Sequence, residues 1–108
     1  MFDLSGRKAL VTGGGRSAGA AIAMALARQG AQVAVNDVEV RRAALSAAEI
    51  RSEGGSAVAV PFDITDPGAV AKGVAFAAAE FGAPIDILVN NAGVPADMAL
   101  TPFRDMPP

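Results

Sequence analysis

The chain has 108 residues, of which 52% are hydrophobic and 19% charged, and its formal net charge is −2. This length allows one domain at most, and the hydrophobic content excludes a disordered chain. The charge offers no basic surface for nucleic acid, no apolar run reaches the roughly 18 residues of a membrane span, and the lack of Cys and His argues against disulfides and a transition-metal site.

The N-terminal segment, residues 1–7, has no long apolar stretch of the kind that directs secretion, so we expect a cytoplasmic protein. The first predicted strand, residues 9–11, leads into a glycine-rich turn and then into an alanine-rich helical pattern that begins near Ser17. We expect Ala18, Ala21, Ile22, Ala25 and Leu26 to form the buried stripe of this helix, which ends at Gly30.

A strand, a glycine turn and a helix together predict a phosphate site. The free N–H groups at a helix N-terminus carry partial positive charge, and glycines let a pyrophosphate approach the backbone closely. A flexible turn without a ligand gives the same pattern, so other segments must decide between the two. The residues of the predicted site are Thr12, Gly13, Arg16, Ser17, Ala18 and Gly19.

The second predicted strand, residues 32–36, ends at Asp37. Its separation from Gly19 along the sequence is about that found in dinucleotide-binding folds, where an acidic residue at this point accepts hydrogen bonds from the adenosine ribose. The spacing therefore favours a nucleotide site over a simple turn.

The remaining elements continue the alternation of helix and strand. A helix over residues 39–53 is expected to bury Val40, Ala43, Ala47 and Ile50 and to end at Gly54-Gly55. Strands follow over residues 57–60 and 85–89, separated by a helix that starts after Asp66-Pro67, with Asp66 as its N-cap. Short, nearly continuous apolar strands between helices are typical of a parallel sheet covered on both faces. The stripe of the third helix comprises Val70, Gly73, Val74, Ala77 and Phe81.

Four blocks occur in order along residues 5–93: Thr12-Gly-x-x-x-Ser17-x-Gly19, Asp37, Asp63-Ile64-Thr65-Asp66 and Asn90-Asn91-Ala92-Gly93. In this order and spacing the chain resembles the short-chain dehydrogenase/reductases. The resemblance implies a Rossmann-type, doubly wound parallel sheet with strand order 3-2-1-4, the first two helices on one face and the third on the other. Ser17 departs from the resemblance, since the family usually has Gly there; its hydroxyl would either cap the first helix or bind a phosphate oxygen.

The resemblance also implies contacts for the rest of the cofactor. Asp63 would accept a hydrogen bond from the adenine amino group and Ile64 would lie against the base, although an Asp that ends a strand and turns the chain explains Asp63 as well. The block after the fourth strand would contribute Asn90, Ala92 and Gly93, with a structural role for Asn91. Asp37 would repel a ribose 2′-phosphate, whereas Arg16, Arg41 and Arg42 could attract one. Because these arginines are expected to be solvated, their attraction is the weaker effect, and NAD is predicted in preference to NADP.

No catalytic residue is predicted in this chain. The family transfers hydride between a nicotinamide ring and a carbonyl or alcohol by means of Tyr, Lys, Ser and Asn; the chain has no Tyr, and its only lysines, Lys8 and Lys72, fall in the first strand and the third helix. We therefore expect residues 1–93 to be the cofactor-binding half of such an oxidoreductase, with 94–108 a tail leading toward a further helix. The alternative is a non-catalytic nucleotide-binding or interaction module built on half a Rossmann fold. Self-association through the fourth strand is expected in either case.

Overall fold

Strands and helices alternate along residues 3–91, the part of the chain that the computed structural model describes. Four parallel strands form one sheet in the order β3-β2-β1-β4, which confirms the predicted Rossmann-type topology. Ala92 and Gly93 of the predicted site, and the predicted tail 94–108, lie outside the described residues. The elements are β1 (Lys8–Thr12), α1 (Ser17–Arg28), β2 (Gln32–Val35), α2 (Val40–Ser52), β3 (Ser56–Ala59), α3 (Pro67–Phe81) and β4 (Ile87–Asn90).

Two apolar clusters occupy the two faces of the sheet. Val11, Val33 and Val35 point to the face that α1 and α2 cover, where Ile50 of α2 is 1% exposed. Leu10 and Ala34 point to the other face and pack with residues of α3. Because successive side chains of a strand alternate between faces, a strand buried on both sides must be apolar throughout. This explains the unbroken apolar runs in the sequence.

The third helix begins and ends as its sequence predicts. The Asp66 side chain accepts from the N–H groups of Gly68 and Ala69 at 3.0 and 3.3 Å, and Pro67 opens the helix. At the other end Gly82 has φ of 72°, a left-handed conformation that glycine adopts without steric cost. The N-cap role predicted for Asp66 is therefore confirmed.

The buried stripe predicted for α1 is wrong in part. Ala18, Ala21 and Ala25 are exposed, whereas the buried residues of the helix are Gly19 and Ala23. The helix lies so close to the chain after β1 that only its smallest residues face inward there. Ile22 and Leu26 do pack against the core, as predicted. In α2, Val40 was likewise expected to be buried but is 65% exposed.

Strand β4 is an edge of the sheet within residues 3–91. It pairs with β1 on one side, with Leu10 opposite Leu88 and Thr12 opposite Asn90. The Leu88 side chain is 65% exposed. Within the same residues, none of the helices combines the length and the apolar character that crossing a bilayer requires.

Candidate functional site

A cleft of about 420 Å³ opens at the carboxyl ends of the parallel strands. This is the position at which open α/β sheets bind ligands. The cleft brings together five of the predicted site residues, Gly13, Arg16, Asp37, Asp63 and Ile64. The other lining residues are Asn36, Val38, Phe62, Thr65 and Asn91.

A second cavity, of about 400 Å³, lies between β3 and α3. It is lined mainly by apolar groups such as Phe62 and Phe76, and among residues 3–91 the one ionisable side chain in its lining is that of Lys72. A phosphate and ribose ligand needs converging polar groups. We therefore place the candidate site in the cleft at the strand ends.

The glycine turn is held by hydrogen bonds to two other elements. Gly13 has φ of 65°, and the Gly14 N–H donates to the backbone oxygen of Asn36 at 2.7 Å. On the other side of the same residue, the Ser46 hydroxyl of α2 donates to the Gly14 oxygen at 2.9 Å and is buried. The path of the turn is thus fixed from both β2 and α2.

Two further glycines allow close approach around the turn. A Cβ on Gly15 would lie 2.7 Å from Cβ of Arg42 and 2.9 Å from Oδ2 of Asp37. A Cβ on Gly19 would collide with the Gly13 oxygen and lie 2.7 Å from Nδ2 of Asn91. Both positions therefore exclude any larger side chain unless the backbone moves.

The N-terminus of α1 faces the same turn. Arg16 is the N-cap residue, and no side chain within residues 3–91 accepts from the first N–H groups of this helix. Ser17 is the first helical residue rather than the cap, so the capping role considered for its hydroxyl is not observed. Its φ of 31° lies in the left-handed region that favours glycine, which gives a physical reason for the family's usual Gly there. Ala18, in the first turn, is exposed.

Asp37 lines the cleft and has one oxygen without a hydrogen-bond partner among residues 3–91. The residue is 3% exposed; its Oδ1 accepts from the Glu39 N–H at 3.0 Å, while its Oδ2 is buried without a hydrogen-bond partner among residues 3–91. Leaving a buried acceptor unsatisfied costs on the order of 1–3 kcal/mol, and more for a charged group. A ligand hydroxyl that donates to Oδ2 would remove this cost.

Asp63 is exposed and ionises readily. Its Oδ1 accepts from the Thr65 hydroxyl at 2.7 Å and from the Thr65 N–H at 2.9 Å. Because these two donors stabilise the carboxylate, the hydroxyl more than the N–H, the pKa of Asp63 lies below its ordinary value. Asp63 therefore turns the chain, as one interpretation predicted, and presents a charged acceptor at the cleft as well.

Polar side chains connect the end of β4 to the glycine turn. The Asn91 N–H donates to the Thr12 hydroxyl oxygen at 2.9 Å, and the Thr12 hydroxyl lies 3.2 Å from Oδ1 of Asn90. The Asn91 amide donates to the Gly13 oxygen at 3.5 Å. These contacts agree with the structural role predicted for Asn91.

Sequence reasoning missed two residues of this region, Asn36 and Ser46. Asn36 was included in the second predicted strand, yet it is 1% exposed and its amide bonds to the chain after β3. Ser46 lies next to Ala47 on the buried side of α2. A polar residue within an apolar strand or stripe was the available signal in both cases.

Known proteins resemble this chain along nearly all of its length. A family model described as short chain dehydrogenase matches residues 7–108. The 5-keto-D-gluconate 5-reductase of Escherichia coli (strain K12) is 37% identical over 105 residues, which are 97% of this chain and 41% of that protein. The gluconate 5-dehydrogenase of Gluconobacter oxydans is 42% identical over 103 residues, 95% of this chain and 40% of that protein. The chain thus spans about two fifths of the length of these relatives.

Solved structures resemble it as closely. A short-chain type dehydrogenase/reductase from Mycobacterium marinum superposes with a TM-score of 0.82 at 39% identity, over 98% of this chain and 41% of that one. A hydroxysteroid dehydrogenase from Escherichia coli gives a TM-score of 0.81 at 40% identity, over 84% of this chain and 38% of that one. The likeness therefore extends to both sequence and three-dimensional arrangement.

Proposed function

The chain belongs to the short-chain dehydrogenase family, whose members use nicotinamide dinucleotides, and from this premise we propose that its cleft binds the adenosine diphosphate part of NAD. The observation that carries the proposal is Asp37, a buried carboxylate that lines the cleft and has one oxygen without a hydrogen-bond partner among residues 3–91. The ribose hydroxyls of NAD are the donors that this oxygen lacks.

The pyrophosphate lies against the turn and the first N–H groups of α1. This position uses the partial positive charge of the helix terminus, which no side-chain cap neutralises within residues 3–91. Arg16 lines the cleft beside this helix terminus and is exposed, so its guanidinium can donate to a phosphate oxygen. Thr12, Ser17, Ala18 and Gly19 support the same contact through the backbone.

The adenine occupies the part of the cleft between β2 and the segment after β3. Asp63 accepts from the adenine amino group, and Ile64, half-buried in the cleft wall, lies against the base. Asn90, the last residue of β4, and Ala92 and Gly93, which come after it in the sequence, complete the ribose side. The pKa of Asp63 favours this role, because a carboxylate accepts hydrogen bonds better than a neutral acid.

We infer NAD rather than NADP from the placement of charges. A 2′-phosphate would lie within a few ångströms of the Asp37 carboxylate, where repulsion is on the order of 4 kcal/mol per charge pair at 4 Å and an effective dielectric of 20. Arg41 and Arg42 are exposed on α2 and do not line the cleft, and Arg16, which does line it, is assigned to the pyrophosphate. The attraction between Arg41 or Arg42 and a 2′-phosphate is that between solvated charges, about 0–1 kcal/mol, and does not offset the repulsion by Asp37.

The activity of the whole protein is carbonyl or alcohol oxidoreduction, with the bound nicotinamide supplying or accepting the hydride. The relatives include both reductases and dehydrogenases named for different compounds, so the redox chemistry and not the substrate is what they share. The 108 residues contain no Tyr. Their part in this activity is to bind and orient the cofactor.

The test is a calorimetric titration with NAD and NADP. We expect the unmutated chain to bind NAD at least about tenfold more tightly, a difference of about 1.4 kcal/mol. Asp37→Asn removes the charge but keeps an oxygen that accepts from the Glu39 N–H. It should therefore weaken NAD binding and reduce the preference for NAD over NADP. Glu39→Gln makes the same charge change at a side chain outside the cleft lining and should leave the preference intact. Equal affinity of the unmutated chain for both nucleotides would contradict the choice of NAD, and binding of neither would contradict the site.

A further inference from the structure

Asn36 connects three parts of the cleft. Its backbone oxygen accepts from the Gly14 N–H of the phosphate turn, and it precedes Asp37 directly. Its side-chain Nδ2 donates to the backbone oxygens of Val60 and Phe62, at 3.0 and 3.1 Å, in the segment that leads to Asp63. One residue therefore contacts the segments proposed to hold the phosphate, the ribose and the adenine.

The orientation of the Asn36 amide is set by its surroundings. Nδ2 has two N–H groups, and each has one carbonyl acceptor. The opposite orientation would place Oδ1 against two carbonyl oxygens and would be repulsive. In the observed orientation Oδ1 is buried without a hydrogen-bond partner among residues 3–91. The side chain thus uses both donors and leaves one acceptor unsatisfied. An apolar residue such as Val33 or Val35 could not donate these two hydrogen bonds.

The two donated bonds act where the sheet pairing ends. The backbone pairing of β2 with β3 continues as far as the bond from the Val60 N–H to the Val35 oxygen. Beyond it, the Asn36 amide replaces the backbone ladder and holds residues 60–62 against the end of β2. Asp63 follows immediately and, through Thr65, makes only bonds within its own turn.

We propose that Asn36 is a positioning residue for the adenine: its amide sets the distance between the Asp37 carboxylate and the Asp63 carboxylate, and thereby the recognition of the adenine amino group. The inference rests on the proposed function. It assigns no contact with the cofactor to Asn36 itself, which acts through residues 60–63.

The test compares NAD with nicotinamide hypoxanthine dinucleotide, in which an oxygen replaces the adenine amino group. The unmutated chain should bind NAD about tenfold more tightly, because Asp63 has a donor in one ligand and faces an oxygen in the other. Asn36→Ser, which is too short to reach both carbonyls, should reduce this preference to less than about twofold.

Ser46→Ala is the matched control. It also removes a buried hydrogen bond near the turn, to the Gly14 oxygen, but does not touch residues 60–63. It should weaken both dinucleotides by the same factor and keep the preference. Thermal melts of both variants separate loss of fold from loss of recognition. The inference would be overturned if Asn36→Ser kept the preference for NAD over the hypoxanthine dinucleotide, or if Ser46→Ala lost this preference to the same extent.

A second measurement needs no variant. In the unmutated chain both Asn36 Nδ2 protons should exchange with solvent at least about tenfold more slowly than those of an exposed Asn, as NMR can follow. Exchange at the rate of an exposed amide would overturn the inference. If the unmutated chain prefers NAD over NADP but does not distinguish the two bases, the inference and the contact between Asp63 and the adenine fail, while the proposed NAD site with Asp37 stands. If it binds no dinucleotide, both fail.

Discussion

The two carboxylates of the cleft are exposed to water to very different degrees. Asp37 is 3% exposed and keeps one oxygen without a partner within residues 3–91, whereas Asp63 is exposed and has both its bonds from Thr65. A ligand gains most by donating to the buried oxygen, since water does not compete there. We therefore expect Asp37 to contribute more than Asp63 to dinucleotide binding.

Thr65→Val tests the ionisation of Asp63. The valine keeps the backbone N–H but removes the hydroxyl, so the pKa of Asp63 should rise toward its ordinary value. A pKa that is lower in the folded than in the unfolded state contributes stability above the unfolded pKa, and that stability is lost as the pH falls through the folded pKa. Thr65→Val should therefore be less stable than the unmutated chain at pH values above the unfolded pKa of Asp63, and this difference should shrink as the pH falls through the folded pKa.

NMR titration of the Asp63 carboxyl carbon gives the readout. The carboxyl of Asp3 is an internal control, because the side chain and then the backbone of Ser5 lower its pKa in the same way. The pKa of Asp3 should not change in Thr65→Val. An unchanged pKa of Asp63 would show that the hydroxyl is not the main cause.

The residues of the cleft were predictable to different extents. Asp37 could be placed because its spacing from the glycine turn is set by the length of one helix and one strand. Asn36 and Ser46 could not, because their partners, Phe62 and Gly14, are 26 and 32 positions away. Local pattern shows that a polar residue is buried, but only the packed sheet shows which backbone oxygen it reaches.

At the scale of elements, the closest contact is between α1 and the glycine turn. Gly19→Ala would place a methyl group against the Gly13 oxygen and near the Asn91 amide, both largely fixed by hydrogen bonds. Overpacking of this kind costs about 1–3 kcal/mol. We expect a lower melting temperature and weaker dinucleotide binding.

Gly68→Ala is the control for that substitution. Position 68 is in the first turn of α3, and an added Cβ would have only the Asp66 carboxylate near it, at 3.5 Å. There the change from Gly to Ala should be neutral or stabilise by up to about 1 kcal/mol. A Gly19→Ala variant as stable as Gly68→Ala would contradict the close packing of α1.

Asp66→Ala measures the cap of α3. Both N–H groups that the carboxylate accepts from would lose their partner, so the free energy of unfolding should fall by about 1 kcal/mol. Glu80→Ala removes an equal charge from an exposed position of the same helix and should change stability by less than about 0.5 kcal/mol. Denaturant unfolding of the two variants gives the comparison.

The existence and order of the helices and strands could be predicted from the sequence. The rotation of α1 about its own axis, which decides the face that is buried, could not. Its many alanines give little contrast between faces, so hydrophobic periodicity cannot fix which side is buried. The position of Gly19 is decided instead by the close approach of the helix to Gly13, a contact between separate parts of the chain. In α3, where Val74 and Phe81 provide contrast, both pack against the core and Gly73 and Ala77 are buried, as predicted; Val70 is not part of either apolar cluster.

At the scale of the whole molecule, β4 leaves an unpaired edge and an exposed apolar side chain within residues 3–91. We expect the 108-residue chain on its own to self-associate, since unpaired strand edges template further pairing. Leu88→Lys should shift sedimentation toward the monomer by adding a charge to this edge. Leu45→Lys, the same change at an exposed position of α2, should not. A monodisperse, unmutated monomer across a concentration series would contradict the expectation.

The pairing of β1 with β4 also determines at which stage of folding the cleft is completed. The Asn91 N–H and the Thr12 hydroxyl that it reaches are 79 positions apart, so the turn is synthesised long before its partner. Contacts of such high sequence separation form late, because the intervening loop must be closed first. We expect the dinucleotide proposed for this cleft to bind chains in which β4 has docked and thereby to shift the equilibrium toward the docked state. Cofactor concentration should thus set what fraction of newly made chains completes folding.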